Sequence, residues 1–411
     1  MLNEICTISN AEQPDDFVGL RFNNGHPSVI FPRGYHLPSD DSQCRKEILR
    51  LIATINKFSG RHEGETTKNN AEEIDLNMPI QSYQYVIYDF LLHGYYTEKE
   101  IRYVENQRGK IHWKRTIQKE QPQINNGNVV YLNFITKVNK INDNNLITRI
   151  HEYCVYESFQ KLGWLFLEKD IRPKKPSIKL NRGTFISVLK QELGSTFNNQ
   201  KRILLQSMIN IISQVDEKID DRFNASFGVY RFEYVWENLV DYVFGETNKE
   251  EYFPHASWHI INGNVHESSA LEPDTIMLYQ GKTYILDAKY YKYGITRIPM
   301  HLPGTSSIQK QITYGEYVAT SGRAAKNDIY NAFVMPFDCG GAEPYQFVSV
   351  GTADWIDYSK ETENYNYVLG ILLDTSYVIN TYAKHNLKEI ETLSDLIMES
   401  ASSYISTRYA Q

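Results

Sequence analysis

Asp274 and Asp287 bracket the stretch "TIMLYQGKTYIL", and Lys289 follows the second aspartate with one residue between. Two carboxylates and an ammonium at one spot form a minimal kit for hydrolysing a phosphodiester. That reaction needs a water made nucleophilic and charge neutralised on the transferring phosphoryl group, and one or two Mg2+ ions do both. Mg2+ is a hard cation that takes carboxylate oxygens and keeps several waters, so two or three acids suffice to hold it. The same residues also have a plainer reading: solvated ends of a surface hairpin, with Lys289 as an ion-pair partner.

The spacing can bring the three together. "TIMLYQ" and "TYILDAK" read as two strands joined by the Gly-containing turn "QGK", an antiparallel hairpin. Asp274 opens the first strand and Asp287 closes the second, so they fall side by side at the open end. Alternate residues of a strand face the same side, which aligns Lys289 with Asp287 and sends Ala288 to the opposite, buried face. Aspartate is a poor strand residue, and a local rule broken inside an otherwise consistent strand is where function is expected.

With these residues in view, "EPDTIML" followed by "ILDAKYYK" resembles the catalytic hairpin of the PD-(D/E)XK nucleases. It is similar in particular to the LlaJI-type restriction endonucleases and to the McrC-type nuclease subunits. The resemblance implies an α/β fold with a restriction-endonuclease-like core, a mixed central sheet flanked by helices. It implies Mg2+-dependent cleavage of double-stranded DNA, with Asp274 and Asp287 as metal ligands and Lys289 as the catalytic lysine. These nucleases place a further acid on a helix before the hairpin. "FEYVWENLVDYVFG" offers Glu233 and Glu237, four apart and on one face; Glu237, in "VWENL", matches the pattern better, with Glu233 the alternative. After the hairpin the relatives carry a helix with Gln or Lys-Gln and a tyrosine. "SIQKQITYGEY" supplies Lys310, Gln311 and Tyr314. In the McrC-like pattern the glutamine stands four residues before the tyrosine, where this chain has Lys310. Lys310 and Gln311 therefore both stand as candidates for positioning phosphate or water.

Partners follow from the same resemblance. Cutting both strands needs two sites, hence a homodimer or larger assembly, and a restriction system implies a cognate methyltransferase. The McrC-like alternative implies a nuclease subunit that cuts only with a separate AAA+ GTPase. A third possibility is an inactive nuclease-fold protein that binds DNA, against which the intact Asp274, Asp287 and Lys289 set argues. The resemblance is strong over residues 225–350 and extends, with lower specificity, back to about residue 80.

The totals agree with a globular protein of this kind. At 411 residues the chain is long enough for two domains, and 41% hydrophobic content supports real cores rather than disorder. No run of eighteen apolar residues exists, so no membrane span is expected. "MLNEICTISNAEQPDDF" lacks a basic segment followed by an apolar one and does not read as a secretory signal. Cys6, Cys44, Cys154 and Cys339 are scattered without CxxC spacing, which argues against a disulfide framework and fits a reducing cytoplasm.

Net charge is −7, yet residues 108–202 hold 18 Lys/Arg against 7 Asp/Glu. The dense parts, "WKRTIQK" and "RPKKPSIKLNR", make Lys114, Arg115, Lys174 and Lys175 candidates for DNA contact. A solvated basic face is the alternative. Aromatics beside cations, as in "IHWKRTI" and the tyrosines of 83–103, can stack on bases. His255, His259, His266 and His301 lack HExxH spacing or cysteine support for zinc. No G-x-x-x-x-G-K-[ST] or GxSxG occurs, so neither nucleotide hydrolysis nor acyl transfer is implied.

The elements expected to position these groups divide at residue 183/184. Residues 1–183 form a mostly helical or α+β region for DNA recognition or partner docking, and 184–411 the nuclease domain. Helices are expected over 79–96, 144–166 and 227–245, with one or two over 184–219. "TEKEIRYVENQRGKIHWKRTI" reads as helix and then a turn, 128–138 as a strand, 61–77 as a mobile loop and 172–184 as a Pro-rich loop. A helix over 306–322 would be capped by Ser306 or Ser307.

Overall fold

Thr275–Tyr279 and Lys282–Ala288 pair antiparallel, in register from Thr275↔Leu286 to Tyr279↔Lys282. Gln280 and Gly281 between them both have positive φ, 48° and 77°. That two-residue turn has the twist a hairpin needs. The computed structural model describes residues 2–9, 16–59, 74–75, 77–105, 108–142, 145–214, 224–261, 263–340, 346–355 and 363–410.

The hairpin is one margin of a five-stranded mixed sheet. Lys282–Ala288 runs parallel to Ile329–Phe337, which runs parallel to Val368–Asp374, and Phe347–Ala353 closes the far edge antiparallel. Ile329–Phe337 is buried along its whole length, as a parallel strand covered on both faces must be. On one face the helix Thr305–Thr320 lays Tyr314 and Val318 against Ile276 and Ile285. On the other, the Tyr284 hydroxyl meets Ser394 of the helix Leu387–Ala410 at 2.6 Å. Sequence neighbours 284 and 285 thus report the two faces, and Asp287 shares the parity of Ile285. The α/β class expected from the sequence is the class found.

A second sheet has the order Cys6–Ile8, His26–Phe31, Val18–Asn23, Ala225–Val229, Ile74–Asp75. Gly228 lies opposite Gly19 in this pairing. A side chain on Gly19 would sit 2.3 Å from the Phe227 carbonyl oxygen, so this strand contact demands glycine. The pairing of residues 18–23 with 225–229 brings the N-terminal segment into the unit that holds the hairpin. One compact unit is therefore Met1–Asn77 with Arg222–Gln411, and the other is Met78–Asp221. The division differs from the one expected at 183/184: the second unit is an insertion, because strand pairing closes across it.

Within the inserted unit, helices Ile80–His93, Leu146–Phe166, Arg182–Ser195 and Asn199–Gln214 bury Val86, Val155, Leu162, Leu189, Leu205 and Met208. Residues 184–219 accordingly begin as two helices; their end beyond Gln214 lies outside the described residues. A three-stranded sheet runs in the order Glu98–Glu105, Ile135–Asn142, Lys110–Ile111. The segment 98–105 is thus strand, where a helix was expected; Ile101, Tyr103 and Glu105 fall at a period of two that suits pairing with Ile135–Asn142. The strand expected over 128–138 is split into Asn128–Val130 and Ile135–Asn142.

Two further expectations are corrected. Residues 227–245 are not one helix: "ASFGV" is the strand Ala225–Val229, and the helix is Phe232–Phe244. The helix expected over 306–322 is Thr305–Thr320, with Gly304 at the cap and no side-chain cap bond, so Ser306 and Ser307 sit in its first turn. The loop expected over 61–77 lies outside the described residues except for 74, 75 and 77. Among the described residues no helix is long and apolar enough to cross a membrane.

Candidate active site

One step beyond the Thr275↔Leu286 pair, Asp274 comes opposite Asp287. Asp274 Oδ2 accepts the Ala288 N–H at 2.9 Å. Lys289 Nζ lies 2.8 Å from Asp287 Oδ2. Ala288 is 1% exposed and Asp287 4%, so the alternation read from the sequence is realised inside the protein, not on a solvated hairpin end. The turn before the hairpin is also held: the Tyr314 hydroxyl donates to the Glu272 carbonyl at 2.9 Å.

Glu237 enters from the helix Phe232–Phe244, and its two neighbours anchor that helix. The Trp236 indole N–H donates to the Val334 carbonyl at 3.3 Å, and the Asn238 amide to the Phe58 carbonyl at 3.0 Å. Burial pushes the Glu237 carboxyl up from 4.5 to about 7; Lys289 opposes this and Asp287 adds to it. Glu233 sits in a different setting, its carboxylate 2.7 Å from Arg231 Nε. Of the two helix acids, Glu237 is the one that Asp287 and Lys289 both influence.

The electrostatics are those of an unbalanced carboxylate cluster. Burial, then the neighbouring Asp287 and Glu237 charges, raise the Asp274 carboxyl well above the ordinary aspartate range. Burial works against the charge on Lys289, but the adjoining Asp287 carboxylate outweighs it and holds the ammonium above its usual range. Lys289 is thus a fixed cation and donor, not a base, near neutral pH. Lys310 is exposed on its helix. Burial opposes its charge, while Tyr314, whose ring centroid lies 5.5 Å from Nζ, and the charges of Asp287 and Asp274 raise it. Gln311 is 1% exposed and gives its amide N–H to the Ile285 carbonyl at 2.6 Å. The two candidates from "KQ" therefore differ: Lys310 is exposed and within the influence of the two aspartate charges, and Gln311 ties its helix to the second hairpin strand.

Among the described residues no three His, Cys, Asp or Glu side chains already converge as metal ligands. Asp274 and Asp287 nonetheless fit a divalent cation. Asp287 is buried and Asp274 half-buried, a cation would relieve the mutual repulsion of their charges, and their oxygens are the hard donors Mg2+ prefers.

Two supports carried no sequence signal. The Arg33 backbone N–H donates to the Tyr290 hydroxyl at 2.6 Å, and its guanidinium lies 5.1 Å from that ring's centroid. Tyr290 follows Lys289, so the N-terminal segment steadies the strand end that carries the lysine. Lys249 is the other, bonded to the Asp274 carbonyl. In the inserted unit Lys114, Arg115, Lys174 and Lys175 are exposed, and the Arg115 guanidinium lies 3.8 Å over the Tyr103 ring.

Comparison with known proteins defines the class as restriction endonuclease. Within it, the chain belongs to the LlaJI restriction endonuclease family, whose model matches residues 17–361. It is similar to the type II restriction enzyme BsuMI component YdjA of Bacillus subtilis (strain 168), with 26% identity over 378 residues, 84% of this chain and 79% of that protein. Among solved structures it is similar to a half-complex from a tetradecameric assembly of Thermococcus gammatolerans McrB AAA+ hexamers with bound McrC. There the TM-score is 0.38 and the identity 16%, over 93% of this chain and 83% of that one.

Proposed function

We propose that this chain is a Mg2+-dependent DNA endonuclease of PD-(D/E)XK type, working in the cytoplasm as part of a restriction-modification system. The mixed five-stranded sheet with its helices is the restriction-endonuclease-like core. The observation that carries the reading is the juxtaposition of Asp274 with Asp287, with Lys289 Nζ 2.8 Å from Asp287 Oδ2. Asp274, Asp287 and Glu237 are the residues that would hold the cation. Mg2+, when bound, supplies Lewis-acid activation of water and neutralisation of phosphoryl charge.

The chain's own residues do the rest. Lys289, kept protonated by Asp287, donates toward the attacked phosphate and stabilises the charge that develops there. Lys310, held on Tyr314, offers a second cation for the phosphate or the attacking water. Lys114, Arg115, Lys174 and Lys175 grip double-stranded DNA through its phosphates, which supplies affinity without sequence reading. Cutting both strands calls for a homodimer or larger assembly, beside a cognate methyltransferase.

A second reading has one specific support. The Bacillus subtilis relative is named as a component of a restriction enzyme, which fits a chain that cuts with a partner subunit, here an AAA+ GTPase. Supercoiled plasmid incubated with Mg2+ and either the purified chain or Asp287→Ala tests the site. Nicking by the wild type alone is expected, with GTP and the partner added if the isolated chain is silent. Equal nicking by both proteins would overturn the assignment.

A further inference from the structure

The edge strand that carries Asp274 has outward carbonyls, and the segment after the Glu237 helix takes them one after another. The Glu246 N–H donates to the Ile276 carbonyl at 2.8 Å. Lys249 Nζ donates to the Asp274 carbonyl at 2.6 Å. The same ammonium lies 2.8 Å from Asp241 Oδ1, and Asp241 is one turn beyond Glu237 on the helix Phe232–Phe244. One cation therefore ties the peptide of Asp274 to the helix that presents Glu237.

The helix end is shaped for this bond. A side chain at Gly245 would lie 2.3 Å from Asp241 Oδ1, so glycine leaves the carboxylate room to lie over the helix terminus and meet Lys249. Both partners are largely sheltered, with 22% and 27% of their side chains exposed. A flexible surface lysine would not hold one geometry; this one has two acceptors that fix its head. With Asp274 Oδ2 on the Ala288 N–H, the Lys249 bond at the same residue's carbonyl defines where the aspartate carboxyl can point.

We propose that Lys249, with Asp241, is a positioning residue that holds Asp274 in register with Asp287 and Glu237 as a cation-binding set. The inference rests on the nuclease reading above and deepens it. Groups that orient metal ligands from behind typically affect metal affinity or activity by about 10–100-fold.

The test is Mn2+ binding by the full chain, followed through the EPR signal of free Mn2+, with thermal melting measured alongside. Lys249→Met should weaken Mn2+ binding ~10-fold or more, while Lys249→Arg, which can still span both acceptors, should restore most of it. Asp241→Asn should weaken binding less, and stands in for Lys249→Met should that variant fail to fold. In cleavage assays excess metal should recover the Lys249→Met rate, with the KM for DNA unchanged. Wild-type Mn2+ affinity in both Lys249→Met and Asp241→Asn, or a loss of melting temperature alone, would overturn the role of Lys249. Asp287→Ala separates the two levels: undiminished Mn2+ binding by that variant overturns the site itself, and with it this inference.

Discussion

Lys289 Nζ lies 2.8 Å from Asp287 Oδ2, two residues further along the chain and just past the end of the strand Lys282–Ala288. The pair is mutually stabilising, and it commits the lysine to the charged state. Lys289→Met should therefore lower DNA cleavage by about 100-fold or more while leaving DNA binding near the wild-type level. Plasmid nicking measured beside filter binding checks this; a variant that cleaves normally would remove Lys289 from the chemistry.

Glu237 gives a pH signature whose sign can be worked out. Its carboxyl titrates at about 7 in the folded protein against an ordinary 4.5. Between those values the unfolded chain has lost its proton and the folded chain still holds it, so stability falls as pH rises through that window and is level above it. Glu237→Gln removes the group. The variant should match the wild type near pH 4 and be more stable near pH 8, by about 2–3 kcal/mol at most. Chemical denaturation at the two pH values reads this directly. Added Mg2+ should stabilise the wild type more at pH 8 than at pH 5, since proton and cation compete for the carboxylates.

Lys310 and Gln311 are adjacent in sequence and opposite in consequence. Gln311→Leu removes a buried hydrogen bond between the helix and the Ile285 carbonyl and should destabilise by about 0.5–1.5 kcal/mol, visible as a lower melting temperature. Lys310→Ala should melt as the wild type does and lose roughly 10-fold or more in cleavage. If the two phenotypes were exchanged, the arrangement described for this helix would be wrong.

The four cations of the inserted unit carry a salt-dependence prediction. Alanine at Lys114, Arg115, Lys174 and Lys175 should weaken DNA binding uniformly across sequences. It should also flatten the plot of log affinity against log salt by about one for each phosphate left without its cation. The cleavage rate at saturating DNA should stay unchanged. An unaltered salt slope would take this surface out of the DNA interface.

What the sequence determined by itself is the hairpin, with Asp274, Asp287 and Lys289 at its open end. The "QGK" turn, strand parity and the apolar runs all act within about twenty residues, and the antiparallel hairpin they imply is the one found, with the turn narrowed to Gln280-Gly281. The acid helix and the Lys310 helix were legible too, as amphipathic segments whose ends shifted by a few residues where a strand or a glycine intervened. The tertiary structure alone decided which distant segments share a unit with them. Arg33 meets Tyr290 across 257 residues, Val18–Asn23 pairs with Ala225–Val229, and Lys249 meets the Asp274 carbonyl. No local periodicity records such contacts. A strand's pattern says which face it buries, not whose edge it joins, and a lysine in "GETNKEE" looks like any solvated charge until the sheet edge beside it supplies an acceptor.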